Sequence, residues 1–392
     1  MKRFVVCLVG AGLLISGCKS RDRGTEWGTY QEPTVPQALP EAAGLSELNV
    51  LWRRNLGAGA EDGYALLEPA YGGDGIYAAS RSGRVFKLAP EDGSIRWQRD
   101  LGAEIFSGVG VHGQVEVAVV ALDDGTLMAL DTGTGETLWE AALGRQISAV
   151  PVVGSERVIA RTADGLVVGL DAGAGDTVWS FQREVPGLSV HGDSPPLISG
   201  DAVFVGLANG KLLANSVVTG REYWETEVSL ATGRNELERL TDSDTAPLVS
   251  ATTLYTATYQ GHVAALQLRD AALKWKARVS SRLPMSIGGG RLLVTSELGE
   301  VVALDAESGD LLWTQEGFRG HGMSRPLVIG GRVIVGDARG NIYSLDSGDG
   351  ALLEKRSVVN GAVVALVPGP GQFAVLSSTG RLSVLSLRTA QN

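Results

Sequence analysis

Short apolar runs separated by glycine- and aspartate-rich breaks fill the chain beyond about residue 46. Arg157-Val-Ile-Ala-Arg161, Leu166-Val-Val-Gly-Leu170 and Thr177-Val-Trp-Ser-Phe181 each have the length of a strand and are too short for a helix. Ala163-Asp-Gly165 and Asp171-Ala-Gly-Ala-Gly175 turn the chain between them, glycine supplying the positive φ that a tight hairpin needs. Ahead of them, Ile147-Ser-Ala-Val-Pro-Val-Val153 predicts an innermost strand. Together these make one four-stranded antiparallel sheet.

The same frame returns along the whole chain. Gly83…Gly93…Trp97, Gly125…Gly135…Trp139 and Gly165…Gly175…Trp179 are followed by Gly210…Gly220…Trp224, Gly261…Ala271…Trp275 and Gly299…Gly309…Trp313. Gly340…Gly350 is the next copy, with Glu354 standing in for the Trp, and Gly380-Arg-Leu-Ser-Val-Leu-Ser386 is a last partial one. Successive first glycines lie 42, 40, 45, 51, 38, 41 and 40 residues apart. A period near 40 with strand content is the signature of propeller blades. One blade cannot bury both its faces alone; stacked blades can, and a recurrent Trp supplies a large apolar area for the joint.

The C-terminal copy stops after its third strand, at about Arg388, whereas Leu48–Leu56 is an orphan outer strand carrying Trp52. Pairing the two closes an eight-bladed β-propeller and leaves no open sheet edge in the ring. The expected organisation is a leader over residues 1–17, a lipidated N-terminus and flexible tether over 18–45, and the all-β propeller over 46–392.

The leader consists of Lys2 and Arg3 followed by an apolar run from Phe4 to Ile15, short of the roughly 20 residues that span a bilayer. It ends in Leu14-Ile15-Ser16-Gly17-Cys18, which resembles a bacterial lipobox, so Cys18 is the expected site of lipidation. Lys19, where an inner-membrane lipoprotein often carries Asp, points to the outer membrane. Residues 19 to about 45 are polar, contain Pro33, Pro36 and Pro40, and read as a semi-extended tether.

Composition narrows the function. The formal charge is −10, the reverse of what a nucleic-acid binder requires. Cleavage before Cys18 also removes Cys7, so the mature chain has no free thiol. His112, His191, His262 and His321 lie in different repeats with no metal-ligand spacing. No G-x-S-x-G elbow occurs. Gly108-Val-Gly-Val-His-Gly113 matches a dinucleotide fingerprint in letters only, because it precedes a strand instead of opening a helix. Asp131, Asp171, Asp305 and Asp346 recur beside turn glycines, which predicts turn hydrogen bonding and not calcium ligation. No enzymatic activity, cofactor or metal is expected.

The repeat, with Ala-Leu-Asp ahead of G-x-x-x-W, resembles that of pyrroloquinoline-quinone dehydrogenases and their non-enzymatic relatives. Two further stretches, Leu188-Ser-Val-His-Gly-Asp-Ser-Pro-Pro196 and Ala231–Pro247, resemble the BamB family, lipoproteins of the outer-membrane β-barrel assembly machinery. That resemblance covers nearly the whole chain. It implies an assembly scaffold on the periplasmic side of the outer membrane, binding the POTRA domains of BamA, working with other subunits of the Bam complex and meeting unfolded outer-membrane protein clients. By position it assigns partner contact to Leu188, Val190, His191, Asp242 and Asp244. Val190 stands where the family commonly has Leu, and His191 where it has Arg; the second change loses a permanent charge and a bidentate fork. Asp242 and Asp244 are also of a type that caps turns, and Leu188 and Val190 of a type that packs in cores. The longest interval between repeats holds the second stretch, where Asn235–Leu240 is expected to form one helical turn. Both stretches run into the innermost strand of the next blade, so they belong at one mouth of the ring, where propellers carry function. The alternative from another class is a periplasmic quinone- or ligand-binding propeller. The absence of an adjacent Cys-Cys pair and of an oxygen-rich calcium loop counts against it.

Overall fold

The computed structural model describes residues 36–60, 67–185, 194–207, 210–228, 245–258 and 261–388. They form eight four-stranded antiparallel sheets arranged as the blades of a β-propeller. Blade 1 runs from Ala70 to Asp100, blade 2 from Gly110 to Ala142, blade 3 from Val152 to Gln182 and blade 4 from Leu197 to Glu227. Blades 5, 6 and 7 follow over Leu248–Ala277, Ser286–Gln315 and Leu327–Ser357. Blade 8 joins three C-terminal strands, between Val363 and Leu387, to the strand Leu48–Asn55.

Burial explains the sequence pattern. The second strands Ala202–Gly206 and Thr253–Ala257 are buried at every position, because a neighbouring blade covers each face. The outer strands Thr137–Ala142 and Thr177–Gln182 bury the Trp and leave both residues before it exposed. The Trp lies across a small partner on the third strand: Ala129 opposite Trp139, Gly169 opposite Trp179, Ala265 opposite Trp275 and Ala303 opposite Trp313. A bulge follows each of these pairs, increasing the local twist that bends the outer strand.

Each indole then locks its blade to the next. Its N–H donates to a carbonyl in the following blade's last turn: Trp52 to Pro90 at 2.8 Å, Trp97 to Thr132 at 3.0 Å, Trp139 to Ala172 at 2.9 Å and Trp179 to Val217 at 2.8 Å. Trp275 and Trp313 do the same to Ala306 and Ser347 at 3.2 and 3.1 Å. The ring face rests on the glycine of the same turn. A Cβ at Gly93, Gly135, Gly175, Gly220, Gly309 or Gly350 would come within 2.5–2.7 Å of the indole, and all six have positive φ. Two demands, left-handed backbone and no side chain, therefore fall on one repeat position.

The eighth joint reverses this chemistry. Glu354 occupies the Trp position, opposite Ser344 and beside the same bulge. The neighbouring strand begins at Leu48, so no turn presents a carbonyl; the start of the strand offers free N–H groups. The Glu354 carboxylate accepts from Glu47 N at 2.6 Å and Leu48 N at 2.8 Å, and the residue is 7% exposed. Glu47 in turn accepts two bonds from Arg332, both 2.8 Å. That hydrogen bond holds the Glu47 carboxyl below the usual carboxylate range. Along the seam, Leu48 pairs with Leu387 and Asn55 with Arg381, and Arg388 N donates to Glu47 O at 2.7 Å.

The strand expected at Arg157–Arg161 appears with those bounds, and those expected from Leu166, Thr177 and Leu48 end within one residue of their expected ends. One expectation needs correction: Ile147–Val153 is not a continuous strand. Only Val152–Val153 pairs as a strand, and Ile147 makes an isolated bridge to Thr162. Pro151 lies between them and has no N–H to give to a ladder. The last ten residues of the segment expected as a tether, 36–45, lie against the propeller. Gln37 N donates to Arg319 O, Ala43 N to Leu352 O and Leu45 N to Leu353 O, at 3.1, 3.0 and 3.2 Å. Leu39 and Ala42 pack on the cluster containing Trp313, Phe318 and Tyr343.

Candidate functional site

In an antiparallel blade, the connections alternate between the two faces of the ring. The links between blades lie on one face with the turns joining second to third strands. The remaining turns lie on the other. The long links after blades 3 and 4 therefore share a face. Ser194 and Thr245, where those links rejoin the described chain, meet directly: Ser194 Oγ donates to Thr245 O at 3.0 Å in a buried position. Thr245 Oγ1 is itself tied to the second strand of blade 5, donating to Ala257 O at 2.9 Å and accepting from Ala257 N at 3.0 Å. The two links thus end side by side at one mouth of the ring.

The blade ends that launch them are equally fixed. Arg183, just after the outer strand of blade 3, bonds Glu222 at 2.6 Å and lies 3.8 Å from Glu225 on the outer strand of blade 4. Lys211 Nζ reaches Glu225 at 2.7 Å. Lys276 Nζ donates to Val228 O at 2.6 Å, holding the residue that precedes the second link. Nearby, burial lowers the pKa of His262, with Lys276 and Arg278 adding to the effect. Burial raises that of Glu297, partly offset by its bond to Ser280 and by Arg282. This frame of pairs has no sequence signature, because its members come from three successive blades and share no local motif.

Leu188, Val190, His191, Asp242 and Asp244 lie outside the described residues, as do Cys18 and the Asn235–Leu240 segment. The described structure shows where their two links begin and end.

Other candidates are resolved by their surroundings. Asp131 Oδ1 accepts from Gly133 N, Thr134 N and Thr134 Oγ1 at 3.0, 2.7 and 3.0 Å; Asp171 and Asp305 accept two backbone N–H groups each, and Asp346 accepts from Gly348 N. These are turn bonds, and the backbone N–H groups of Thr134 and Ser308 are the main reason Asp131 and Asp305 have lowered pKa values. Gly108 and Gly110, from the false dinucleotide match, lie directly against backbone carbonyls of Glu68 and Pro151, so they serve the close approach of inner strands. Among the described residues, no group of three or more His, Cys, Asp or Glu is placed to hold a metal ion.

Comparison with known proteins gives a consistent result. A family model described as outer membrane protein assembly factor BamB matches residues 44–121, 106–288 and 273–391. The outer membrane protein assembly factor BamB of Bordetella pertussis is 31% identical over 388 residues, covering 98% of this chain and 97% of that protein. The Pseudomonas aeruginosa protein of the same name is 34% identical over 322 residues, 82% of each chain. The crystal structure of BamB from Moraxella catarrhalis superposes with a TM-score of 0.80 at 31% identity, covering 86% of this chain and 99% of that one. With its eight closed blades and its indole-locked joints, this chain belongs to the BamB family.

Proposed function

We propose that this chain is a non-catalytic lipoprotein subunit of the outer-membrane β-barrel assembly machinery. Cys18 carries the lipid anchor, residues 19–35 lead from the membrane, and the propeller faces the periplasm. The links after blades 3 and 4 bind the POTRA domains of BamA. In that contact Leu188 and Val190 supply an apolar centre, His191 a polar contact, and Asp242 and Asp244 an acidic border for a basic partner surface. Through BamA the propeller works beside the other subunits of the complex and near unfolded outer-membrane clients.

The observation that carries this reading is the direct bond between the ends of the two links, Ser194 Oγ to Thr245 O, on a propeller of this family. It brings two separate stretches, 51 residues apart at that bond, to one mouth. The site is a rigid scaffold presenting loops, an arrangement suited to binding.

The test is a binding measurement between the soluble propeller, residues 19–392, and purified POTRA domains of BamA. Asp242→Arg is expected to weaken binding, chiefly through slower association, and to reduce its salt sensitivity. Leu188→Asp is expected to weaken it through faster dissociation. Normal binding by both variants, with melting temperatures unchanged, refutes the assignment.

A further inference from the structure

The segment ahead of the closing strand takes a route that ring closure does not require. Leu48 opens the outer strand of blade 8 on the face that carries the turns between third and outer strands. Glu47 is held there by Arg332, at the start of the second strand of blade 7, and Arg388 N reaches Glu47 O. Both ends of the seam therefore lie on this turn face, opposite the links between blades. A chain running straight on from Glu47 would leave the propeller from the turn face.

Residues 37–45 instead cross the rim at the joint of blades 6 and 7. At the turn-face end, Ala43 N and Leu45 N donate to Leu352 O and Leu353 O, at the start of the outer strand of blade 7. Midway, Leu39 and Ala42 pack on the cluster of Trp313, Phe318 and Tyr343. The Pro40 ring lies on Gly317, where a Cβ would come within 2.6 Å of Pro40 Cδ. Gly317 belongs to the short 3-10 turn Glu316–Phe318, in the link after blade 6. At the far end that same link takes both backbone groups of Gln37: its N–H donates to Arg319 O at 3.1 Å, and its carbonyl accepts from His321 Nε2 at 2.8 Å. His321 O in turn accepts from Ala338 N, in the turn between second and third strands of blade 7. That end is on the link face. The strap thus moves the exit of the chain from one face of the ring to the other.

We propose that this strap decides which side of the propeller faces the membrane: it delivers the anchored tether to the link face, so the face bearing the two long links is held nearest the bilayer. The proposal rests on Cys18 as the anchor and adds to that reading the membrane-proximal face. Nineteen residues separate Cys18 from Gln37, a reach of at most about 65 Å. Released from the strap, the chain would run 29 residues from Cys18 to Glu47, at most about 100 Å, and arrive on the wrong face. A partner held by the links after blades 3 and 4 accordingly meets the propeller from its membrane side.

The experiment uses residues 19–392 with a hexahistidine tag in place of Cys18, on phosphatidylcholine vesicles containing nickel-chelating lipid. The tag supplies the anchor, so the result depends neither on lipidation nor on partner binding. This chain has no thiol of its own, and a fluorescent donor is placed on one introduced cysteine. Ala163→Cys marks the link face and Ser155→Cys the turn face; both positions are exposed, at opposite ends of the strand Arg157–Arg161, about 17 Å of strand apart. Energy transfer to an acceptor-labelled lipid is expected to be greater from position 163. Moving the tag to follow Asn392, so that the chain leaves past Arg388 on the turn face, is expected to reverse the order. Replacing residues 36–45 by ten Gly and Ser residues keeps the tether length and is expected to abolish the excess at 163. The comparison of the two tags uses an intact strap, so it decides even where the replacement lowers stability. Equal or greater transfer from position 155 with the N-terminal tag, the same order with both tags, or an undiminished excess at 163 in a folded strap replacement overturns the proposal.

Discussion

Replacing Glu354 tests the closure of the ring at one side chain. In seven joints a Trp stands at this repeat position; at the seam a carboxylate does, because the facing strand begins there and offers donors in place of an acceptor. Glu354→Ala removes two hydrogen bonds to a charged group and strands the N–H groups of Glu47 and Leu48 at the base of the closing strand. With hydrogen bonds to charged groups contributing about 1.5–3 kcal/mol each, and with the two not fully additive, the loss is about 2–4 kcal/mol. Glu354→Gln keeps an acceptor and is expected to lose about half as much. Glu354→Trp, the residue the repeat itself suggests, is expected to destabilise too, since its indole N–H meets donors. Urea unfolding followed by Trp fluorescence gives the stability, and hydrogen exchange at Leu48–Asn55 locates it. Because the residue is 7% exposed, salt should change the result little. Wild-type stability in Glu354→Ala, or a gain in Glu354→Trp, refutes the polarity argument.

The remaining predictions concern the same joints. The Glu47 carboxyl is held low by Arg332, so its stabilisation is present above the unfolded value of 4.5 and disappears as pH falls through the lower folded value. Glu47→Gln should flatten that acid limb of the stability curve, and an unchanged limb would remove Glu47 from the seam. Gly309→Val, which puts a branched side chain at φ +78° beneath Trp275, should destabilise more than Trp275→Ala, itself expected to lose about 3–5 kcal/mol in urea melts. Deleting residues 19–35 should leave the melting temperature nearly unchanged, whereas deleting through 57 should lower it strongly, because the second cut removes the closing strand and Trp52. Equal melting temperatures would contradict the strand's role.

What could be read from the chain and what could not differ for a physical reason. The blades were legible because each strand and turn is a local pattern repeated eight times, and the orphan Leu48–Leu56 segment showed its missing partner at the C-terminus. Glu354 was visible as an exception to the Trp position, but its meaning depends on Glu47, more than 300 residues away, and only the closed ring brings them together. Ala271 was likewise visible as a missing glycine. Why the repeat favours glycine there required seeing that the residue lies under an indole from the preceding blade. Pro151 is a case where the apolar pattern of Ile147–Val153 overrode a residue that cannot donate to a ladder. That the links after blades 3 and 4 share one mouth follows from blade order, but the bond of Ser194 to Thr245 and the Arg183, Glu225, Lys211 and Lys276 frame have no sequence signature.

The most direct test of the functional proposal is co-purification of the intact, lipid-anchored protein from detergent-solubilised outer membranes. Wild-type chain is expected to bring down BamA. A variant combining Leu188→Asp with Asp242→Arg is expected to reach the outer membrane in normal amount, keep its melting temperature and lose BamA. Recovery of BamA at wild-type yield with that folded variant would contradict binding through the two links.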